Sequence, residues 1–422
     1  QFPDKTDASD ELKQVRATIA SLYFDLYEKA FFESMHATII PPVVKMFFYF
    51  SYLDEDLCEM EHVQELYSIA SLLDEQDHPR IFTFYHWLTA IYQGKAEPCM
   101  NEFEVDYTTY IQQLKATHKI DAREAADRLA DTNEKVRYEL QNMFPSVMKI
   151  TFGSVSSYCP VLSEHLIAKE LGHSQMTTDK IDQAIQNIRT LDPTAYYQET
   201  MYENTAYDIQ KEVIHLEYIP NVILLPSMGI RGVLWQDIEG RKRSSSARIM
   251  VPIFYLLDVN SLFTRITGEY RWQICKRIQG SRWNSVADPS LTSEYCDYIQ
   301  FYRKNKDLSA EVKERIKTAL ARARNNYREC FIQDYIEYID YESKGSPRLN
   351  KVARKILLTY CPFPQAINKN LAVNPLYTDL LSKQDLKRKQ KAHRLTVLER
   401  KIAQSGHALP DELIAEQEFY NL

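Results

Sequence analysis

Arginine, glycine and tryptophan residues are concentrated between Gly229 and Trp283. Five of the ten glycines, three of the four tryptophans and eight arginines fall in this stretch. Guanidinium and hydroxyl groups bind phosphate and carboxylate oxygens, and an indole ring offers a face for stacking. We therefore predict that the stretch binds an anionic ligand, for example one that carries phosphate, or an acidic partner. The predicted ligand-binding residues are Arg231, Trp235, Arg241, Arg243, Ser245, Arg248, Arg271, Arg277, Arg282 and Trp283.

The basic loop from Arg241 to Ser246 has a second interpretation. It lacks both the phosphate-binding loop pattern and the three spaced glycines of a dinucleotide site, so no cofactor can be named from it. The same charges could face the acidic amino-terminal half of the chain instead of a ligand. A third use of the charges, binding nucleic acid, fits the chemistry but is not favoured.

Arg271 lies in an apolar stripe of the helix that we predict between Gly268 and Gly280. A buried cation needs a partner, because an unpaired buried charge is very costly. An internal carboxylate is the expected partner, and Glu294 on the next helix is the candidate. A bound anion is the alternative.

Glu-x-x-His pairs raise the alternative of a metal-dependent enzyme. On a helix, this spacing places both side chains on one face, as in carboxylate di-metal bundles. The candidate ligands are Glu33, His36, Glu59, His62, Glu212 and His215. Because the further glutamates of such a site are not evident and no Gly-x-Ser-x-Gly motif occurs, the sequence leans against an enzyme.

A strongly basic helix is predicted over residues 376–404. Its partial apolar stripe consists of Leu381, Leu395, Leu398 and Ile402. Basic amphipathic helices bind acidic proteins, anionic membranes or nucleic acid, or they pack on their own core with the charges in solvent. This helix underlies a rival hypothesis, in which the protein is a helical interaction scaffold without a small-molecule site.

The elements that would position these residues are mostly helical. We predict a mostly α fold, either a multi-helical array or two helical domains, with one short β-hairpin or extended element near 221–238. Short apolar runs between glycine and proline residues favour the extended element. The tyrosine-rich segment 195–217 is predicted to be helical, and one long helix is predicted from Ser309 to about Tyr341.

Charge divides the chain into two halves. Residues 1–220 contain 18 Lys and Arg against 36 Asp and Glu, whereas residues 221–422 contain 33 against 22. We predict an acidic helical domain over 1–215, a glycine- and arginine-rich junction over 216–250, and a basic helical domain over 251–422.

The cysteines indicate a reducing compartment. Seven are present, an odd number, and no two of them have the Cys-x-x-Cys spacing. No apolar run approaches the roughly 18 residues of a membrane span. We therefore expect a cytoplasmic binding or regulatory protein without a transmembrane segment, and a homo-oligomer is possible.

Overall fold

The computed structural model describes residues 10–50, 61–75, 78–99, 105–150, 169–207, 209–235, 247–404, 406 and 408–421. Its helices are α1 (Asp10–His36), α2 (Pro42–Phe50), α3 (Glu61–Glu75), α4 (Phe84–Tyr92), α5 (Tyr107–Ala116), α6 (Ala122–Ala130), α7 (Thr132–Ile150), α8 (Thr178–Leu191), α9 (Val259–Gln279), α10 (Leu291–Phe301), α11 (Ala310–Arg322), α12 (Tyr327–Asp340), α13 (Lys351–Tyr360), α14 (Gln365–Leu371), α15 (Pro375–Gln404) and α16 (Asp411–Asn421). The strands are β1 (Ile81–Thr83), β2 (Tyr197–Asn204), β3 (Ile209–Glu217), β4 (Asn221–Gly229), β5 (Val233–Trp235) and β6 (Arg248–Tyr255). The prediction of a mostly α fold with some β structure is confirmed.

The chain divides into two compact units, and each unit is assembled from three separate segments. The first comprises Gln1–Asp182, Pro220–Asp237 and Ala247–Leu262. The second comprises Gln183–Ile219, Ile238–Ser246 and Phe263–Leu422. The predicted junction at 216–250 contributes strands β4 and β5 to the sheet of the first unit.

The first unit is built around a four-stranded sheet with the order β1-β4-β6-β5. Strand β4 runs parallel to both β1 and β6, and β5 runs antiparallel to β6. The described part of the segment 221–238 therefore contains extended strands, as predicted, but the hairpin is wrong because β6 lies between β4 and β5. Every residue of β6 is buried, which is typical of a strand covered on both faces.

Aromatic side chains fill the core of the first unit. One cluster joins the sheet residues Ile223, Leu225 and Met250 to rings from three helices. The fully buried rings include Tyr27 and Phe31 of α1, Phe47 and Phe48 of α2, and Trp87 of α4. The sheet is thus covered by the aromatic faces of the amino-terminal helices.

The second unit contains an antiparallel hairpin, β2–β3, where the sequence predicted a helix. Tyr197 pairs with Glu217, and Glu199 pairs with His215. The residues Gln198, Tyr202 and Ile214 are buried, and they share one face of the hairpin. Strand pairing and burial decide the conformation here, and they override the weak helical periodicity of the tyrosines.

Helices form the rest of the second unit. Their core joins Trp272 of α9, Tyr295 of α10, Phe331 and Tyr335 of α12, and Leu357 of α13. Ser309 is a helix N-cap, as predicted, since its side chain accepts from the backbone of Val312. The long helix predicted from Ser309 is, however, two helices, α11 and α12.

No helix in the described part of the chain is both long enough and apolar enough to cross a bilayer.

Candidate interaction surface on helix α15

Of the predicted ligand-binding residues around β4 and β6, the structure describes the side chains of Arg231 and Arg248. Arg231 is exposed after β4, whereas Arg248 on β6 is only 9% exposed. The Arg248 guanidinium lies 5.3 Å from the ring centre of Trp87 and donates to the carbonyl of Glu97 over 3.1 Å. These contacts give the Arg248 guanidinium a role inside the unit, and its contact with a ligand stays a prediction. Arg241, Arg243, Ser245 and the side chain of Trp235 lie outside the described residues.

Arg271 is buried on α9, as its place in the apolar stripe predicted, and its partner is internal. Its guanidinium forms a two-pronged ion pair with Asp192, with a distance of 2.7 Å between Nε and Oδ2. It also donates to the hydroxyl of Thr194 over 2.6 Å and to the carbonyl of Tyr360 over 3.1 Å. Burial alone lowers the pKa of Arg271, but the Asp192 carboxylate raises it above its ordinary value.

Two predictions for Arg271 are thereby corrected. Glu294 is not its partner, because the Glu294 carboxylate instead accepts a hydrogen bond from the hydroxyl of Tyr360 over 2.8 Å. The prediction that Arg271 binds a ligand is also wrong, since Asp192, Thr194 and a backbone carbonyl occupy its donors. The buried pair therefore gives Arg271 a structural role inside the second unit.

Arg277, Arg282 and Trp283 lie at the end of α9 in the second unit. A shallow cleft of about 470 Å³ includes Arg282, but two carboxylates, Glu199 and Asp288, also line it. The side chain of Arg282 is 72% exposed, and its Nη1 lies 3.7 Å from Asp288. Trp283 packs against the helical core with its edge toward Trp272. The negative charges of Glu199 and Asp288 would repel a phosphate-bearing ligand in this cleft.

The pair of Glu212 and His215 lacks the helical geometry that the metal hypothesis requires. Glu212 and His215 lie on strand β3 and not on a helix, so their spacing places them on opposite faces. Glu212 pairs with Arg394, and His215 pairs with Glu416. Glu33 and His36 lie on α1, where Glu33 is 70% exposed, while Glu59 and the side chain of His62 lie outside the described residues. Among the residues described, no three His, Cys, Asp or Glu side chains form a metal-binding group.

The described cysteines are thiols held in apolar surroundings. Cys99, Cys275, Cys296, Cys330 and Cys361 are free, and Cys58 and Cys159 lie outside the described residues. Burial raises the pKa of both Cys296 and Cys330 to about 11. At neutral pH these two side chains are therefore protonated and are poor nucleophiles.

Helix α15 is anchored at both ends and exposed in its middle. Near its start, Tyr377 and Leu381 join the helical core. Tyr377 also donates to the carboxylate of Glu342, which forms a buried ion pair with Arg354 over 2.7 Å. Near its end, Leu395 and Ile402 pack with the β2–β3 hairpin and α16. These two anchors hold the segment between them on the surface of the second unit.

The exposed middle of α15 carries a stripe of positive charge, consisting of Lys383, Lys387, Lys391 and Arg394. At 100° per residue, these side chains lie within an arc of about 80° and extend over about 16 Å. Arg394 pairs with Glu212 over 2.7 Å. Asp385 pairs with Lys389 and Arg388, which lie outside the stripe. Within the described residues, no carboxylate pairs with Lys383, Lys387 or Lys391.

Two apolar side chains border this stripe, and the sequence analysis overlooked them. Leu386 is 59% exposed and Val397 is 46% exposed. On the helical wheel they lie about 40–60° from Lys383, opposite the buried stripe that contains Leu381 and Leu395. Their exposure could have been predicted from their position on the helical wheel, which separates them from the residues that pack on the core.

Residues 280–420 match a family model described as a domain of unknown function (DUF8509). This segment spans α10 to most of α16, and it therefore includes the whole of α15. No curated protein and no solved structure matched the chain.

Proposed function

We propose that the protein is a non-catalytic binding protein, and that the exposed face of α15 binds an acidic α-helix of another protein. The observation that carries this proposal is the row of Lys383, Lys387 and Lys391, which has no carboxylate partner among the described residues, beside the exposed Leu386. A helix with carboxylates three and four residues apart could face this row along its length. Its apolar side chains would cover Leu386 and Val397.

A protein helix suits this face better than a small anion does. The stripe is about 16 Å long and lies on a convex helix, whereas small ligands bind in concave sites that bury most of their surface. Nucleic acid is a weaker candidate, because α15 has no exposed Phe, Tyr or Trp ring to stack on a base, and its one tyrosine, Tyr377, is fully buried. The face therefore combines the charge and the apolar area typical of helix–helix recognition.

The acidic composition of α16 supports the same chemistry. This helix carries Asp411, Glu412, Glu416 and Glu418 and no basic residue, and it packs beside the end of α15. Its Leu413 is fully buried in the cluster that contains Ile402. An acidic helix with an apolar stripe thus already packs against α15 within the chain.

Charge reversal on the full chain tests the proposal. The probe is a fluorescein-labelled, designed helix with glutamates on one face and leucines beside them, and binding is followed by fluorescence anisotropy. The triple variant Lys383→Glu, Lys387→Glu, Lys391→Glu should bind the probe at least about tenfold more weakly, because opposite charges across an interface become like charges. A matched triple variant, Lys306→Glu, Lys344→Glu, Lys369→Glu, changes the net charge equally at exposed sites elsewhere in the second unit.

Two results would overturn the proposal. One is equal loss of binding in both triple variants, which would indicate a general effect of net charge. The other is tighter binding of a labelled DNA duplex than of the acidic helix, which would assign the surface to nucleic acid.

A further inference from the structure

The terminal helix α16 is seated against strand β3 by three kinds of contact. Leu413 is fully buried with Ile209 and Ile214 of the hairpin. The Glu416 carboxylate accepts from the backbone N–H of His215 over 2.5 Å and lies 3.1 Å from its Nδ1. The Phe419 ring is stacked on the His215 imidazole, with 4.1 Å between centroids and 3° between planes. We call this group of residues on the hairpin the α16 seat.

Helix α16 covers an edge of the β2–β3 hairpin. Among the described strands, β3 pairs with β2 alone, so no strand pairs with the backbone groups on its other side. Glu416 provides an acceptor where a neighbouring strand would provide a carbonyl oxygen, and it is only 3% exposed. Within the described residues, the hydrogen bonds that attach α16 to β3 come from the Glu416 side chain and not from a backbone ladder, so the helix can be exchanged as a unit.

The connection to α16 has the composition of a hinge. Six residues separate Gln404, the last residue of α15, from Asp411, the first of α16. Gly406 has a φ of 79°, a left-handed conformation that glycine adopts without strain. Pro410 precedes α16 and cannot donate a backbone hydrogen bond to a continued helix.

We propose that the α16 seat also accepts α16 from a second copy of this chain, so that two chains pair by reciprocal exchange of their terminal helices. The occupant is specified by the contacts already described, because the exchanged helix would bring the same Leu413, Glu416 and Phe419 to an identical seat. The closed monomer and the exchanged dimer then differ mainly in the hinge and in concentration. The exchange uses the edge of β3 and not the exposed face of α15, so it does not depend on the proposed function.

Shortening the hinge tests the exchange in the full chain. Deleting Gly406, His407 and Ala408 shortens the connection by about 10 Å of reach, which disfavours closure of α16 on its own hairpin. The deletion variant should be a dimer by light scattering coupled to gel filtration, while the unaltered chain at the same low concentration is a monomer. Adding Leu413→Ala and Phe419→Ala to the deletion should return it to a monomer. A folded deletion variant that stays monomeric at all concentrations would refute the exchange.

A second measurement keeps the proposal testable if the deletion variant does not fold. In the full chain with Leu413→Ala and Phe419→Ala, the chain's own α16 binds the seat more weakly, while the seat itself is unchanged. A labelled peptide of residues 408–422 should bind this variant at least about tenfold more tightly than it binds the unaltered chain. The same peptide with Glu416→Ala should bind more weakly than the unaltered peptide. Equal binding of the peptide to the variant and to the unaltered chain would contradict the proposal.

Discussion

In the second unit, Arg271 and Asp192 form a buried ion pair in which each charge depends on the other. Arg271→Ala should lower the free energy of unfolding by about 3–5 kcal/mol, because the Asp192 carboxylate would remain buried without its cation. Arg282→Ala is the matched control, since Arg282 is 72% exposed and should cost less than about 0.5 kcal/mol. Chemical denaturation measures both variants. A similar stability for Arg271→Ala and Arg282→Ala would show that the pair contributes little.

Asp334 gives the second unit a pH-dependent stability. Burial raises its pKa to about 7, although the Tyr295 hydroxyl, which donates to it over 2.7 Å, opposes the rise. The folded state then binds more protons than the unfolded state between about pH 4 and pH 7, so stability falls as the pH rises through that range. Asp334→Asn should remove this fall and raise the melting temperature at pH 8.

Thermal melts at pH 5 and pH 8 check the Asp334 prediction. The gain from Asp334→Asn should be larger at pH 8, where the wild-type carboxylate is ionised, than at pH 5. Asp297→Asn provides the control in the same unit, because Asp297 is exposed on α10 and is not among the groups that shift the pKa of Asp334. A gain from Asp334→Asn that is equal at the two pH values would contradict the assignment.

The sequence predicts that Arg271 needs an ion-pair partner, but it does not identify that partner as Asp192. Arg271 falls in an apolar stripe, so its burial and its internal pairing could be predicted. Asp192 could not be identified as the partner, because it precedes Pro193 in what reads as an ordinary turn, 79 residues before Arg271. Contacts of such long sequence separation depend on the tertiary fold and leave no local pattern.

At the scale of elements, the break between α11 and α12 depends on two left-handed residues. Arg324 and Asn325 have φ values of 50° and 58°, and the N–H of Asn325 donates to the carbonyl of Leu320. Asn325→Ala should destabilise the protein by about 1 kcal/mol, whereas Asn325→Gly should be neutral or stabilising, since glycine adopts this conformation without strain. Chemical denaturation distinguishes the two variants. Equal destabilisation by both would show that the side chain of Asn325, and not its backbone conformation, matters.

The same break explains an error in the predicted elements. The helical periodicity continues across Arg324 and Asn325, and no glycine or proline marks the end of α11. The available signal was the Asn-Asn pair, since asparagine tolerates the left-handed region and Asn326 also caps α12. The β2–β3 hairpin was missed for another reason. Its strands are stabilised by pairing with each other and by packing, neither of which a local periodicity reports.

At the scale of the whole molecule, binding to α15 should depend on salt. Raising the ionic strength from about 0.05 M to 0.5 M should weaken binding of the acidic probe helix, because exposed charges are screened. The variant Leu386→Ala, Val397→Ala should bind more weakly at every salt concentration but keep the same salt dependence. Anisotropy titrations at several salt concentrations measure both effects. A changed salt dependence in this apolar variant would show that the two contributions are not separable.

The charge asymmetry of the sequence predicted a basic carboxy-terminal region. The predicted binding site, however, was placed between Gly229 and Trp283 and not on α15. The stretch from Gly229 to Trp283 is rich in arginine, yet its described cations include Arg248 and Arg271, which are buried and hydrogen-bonded inside their own units. Composition counts charges without distinguishing those that face the core. On α15 the exposed charges could be identified from the sequence, because Lys383, Lys387 and Lys391 recur at the spacing of one helix face.

The topology of the first unit has a consequence for how the protein is made. Strand β1 ends at Thr83, but its neighbour β4 begins at Asn221, so the sheet needs strands from distant parts of the chain. A ribosome adding about 5–20 residues per second needs about 7–28 s to synthesise the intervening chain. During this interval, Tyr27, Phe47 and Trp87 lack the strands that bury them. The nascent amino-terminal helices should therefore be clients of ribosome-associated chaperones until β6 emerges.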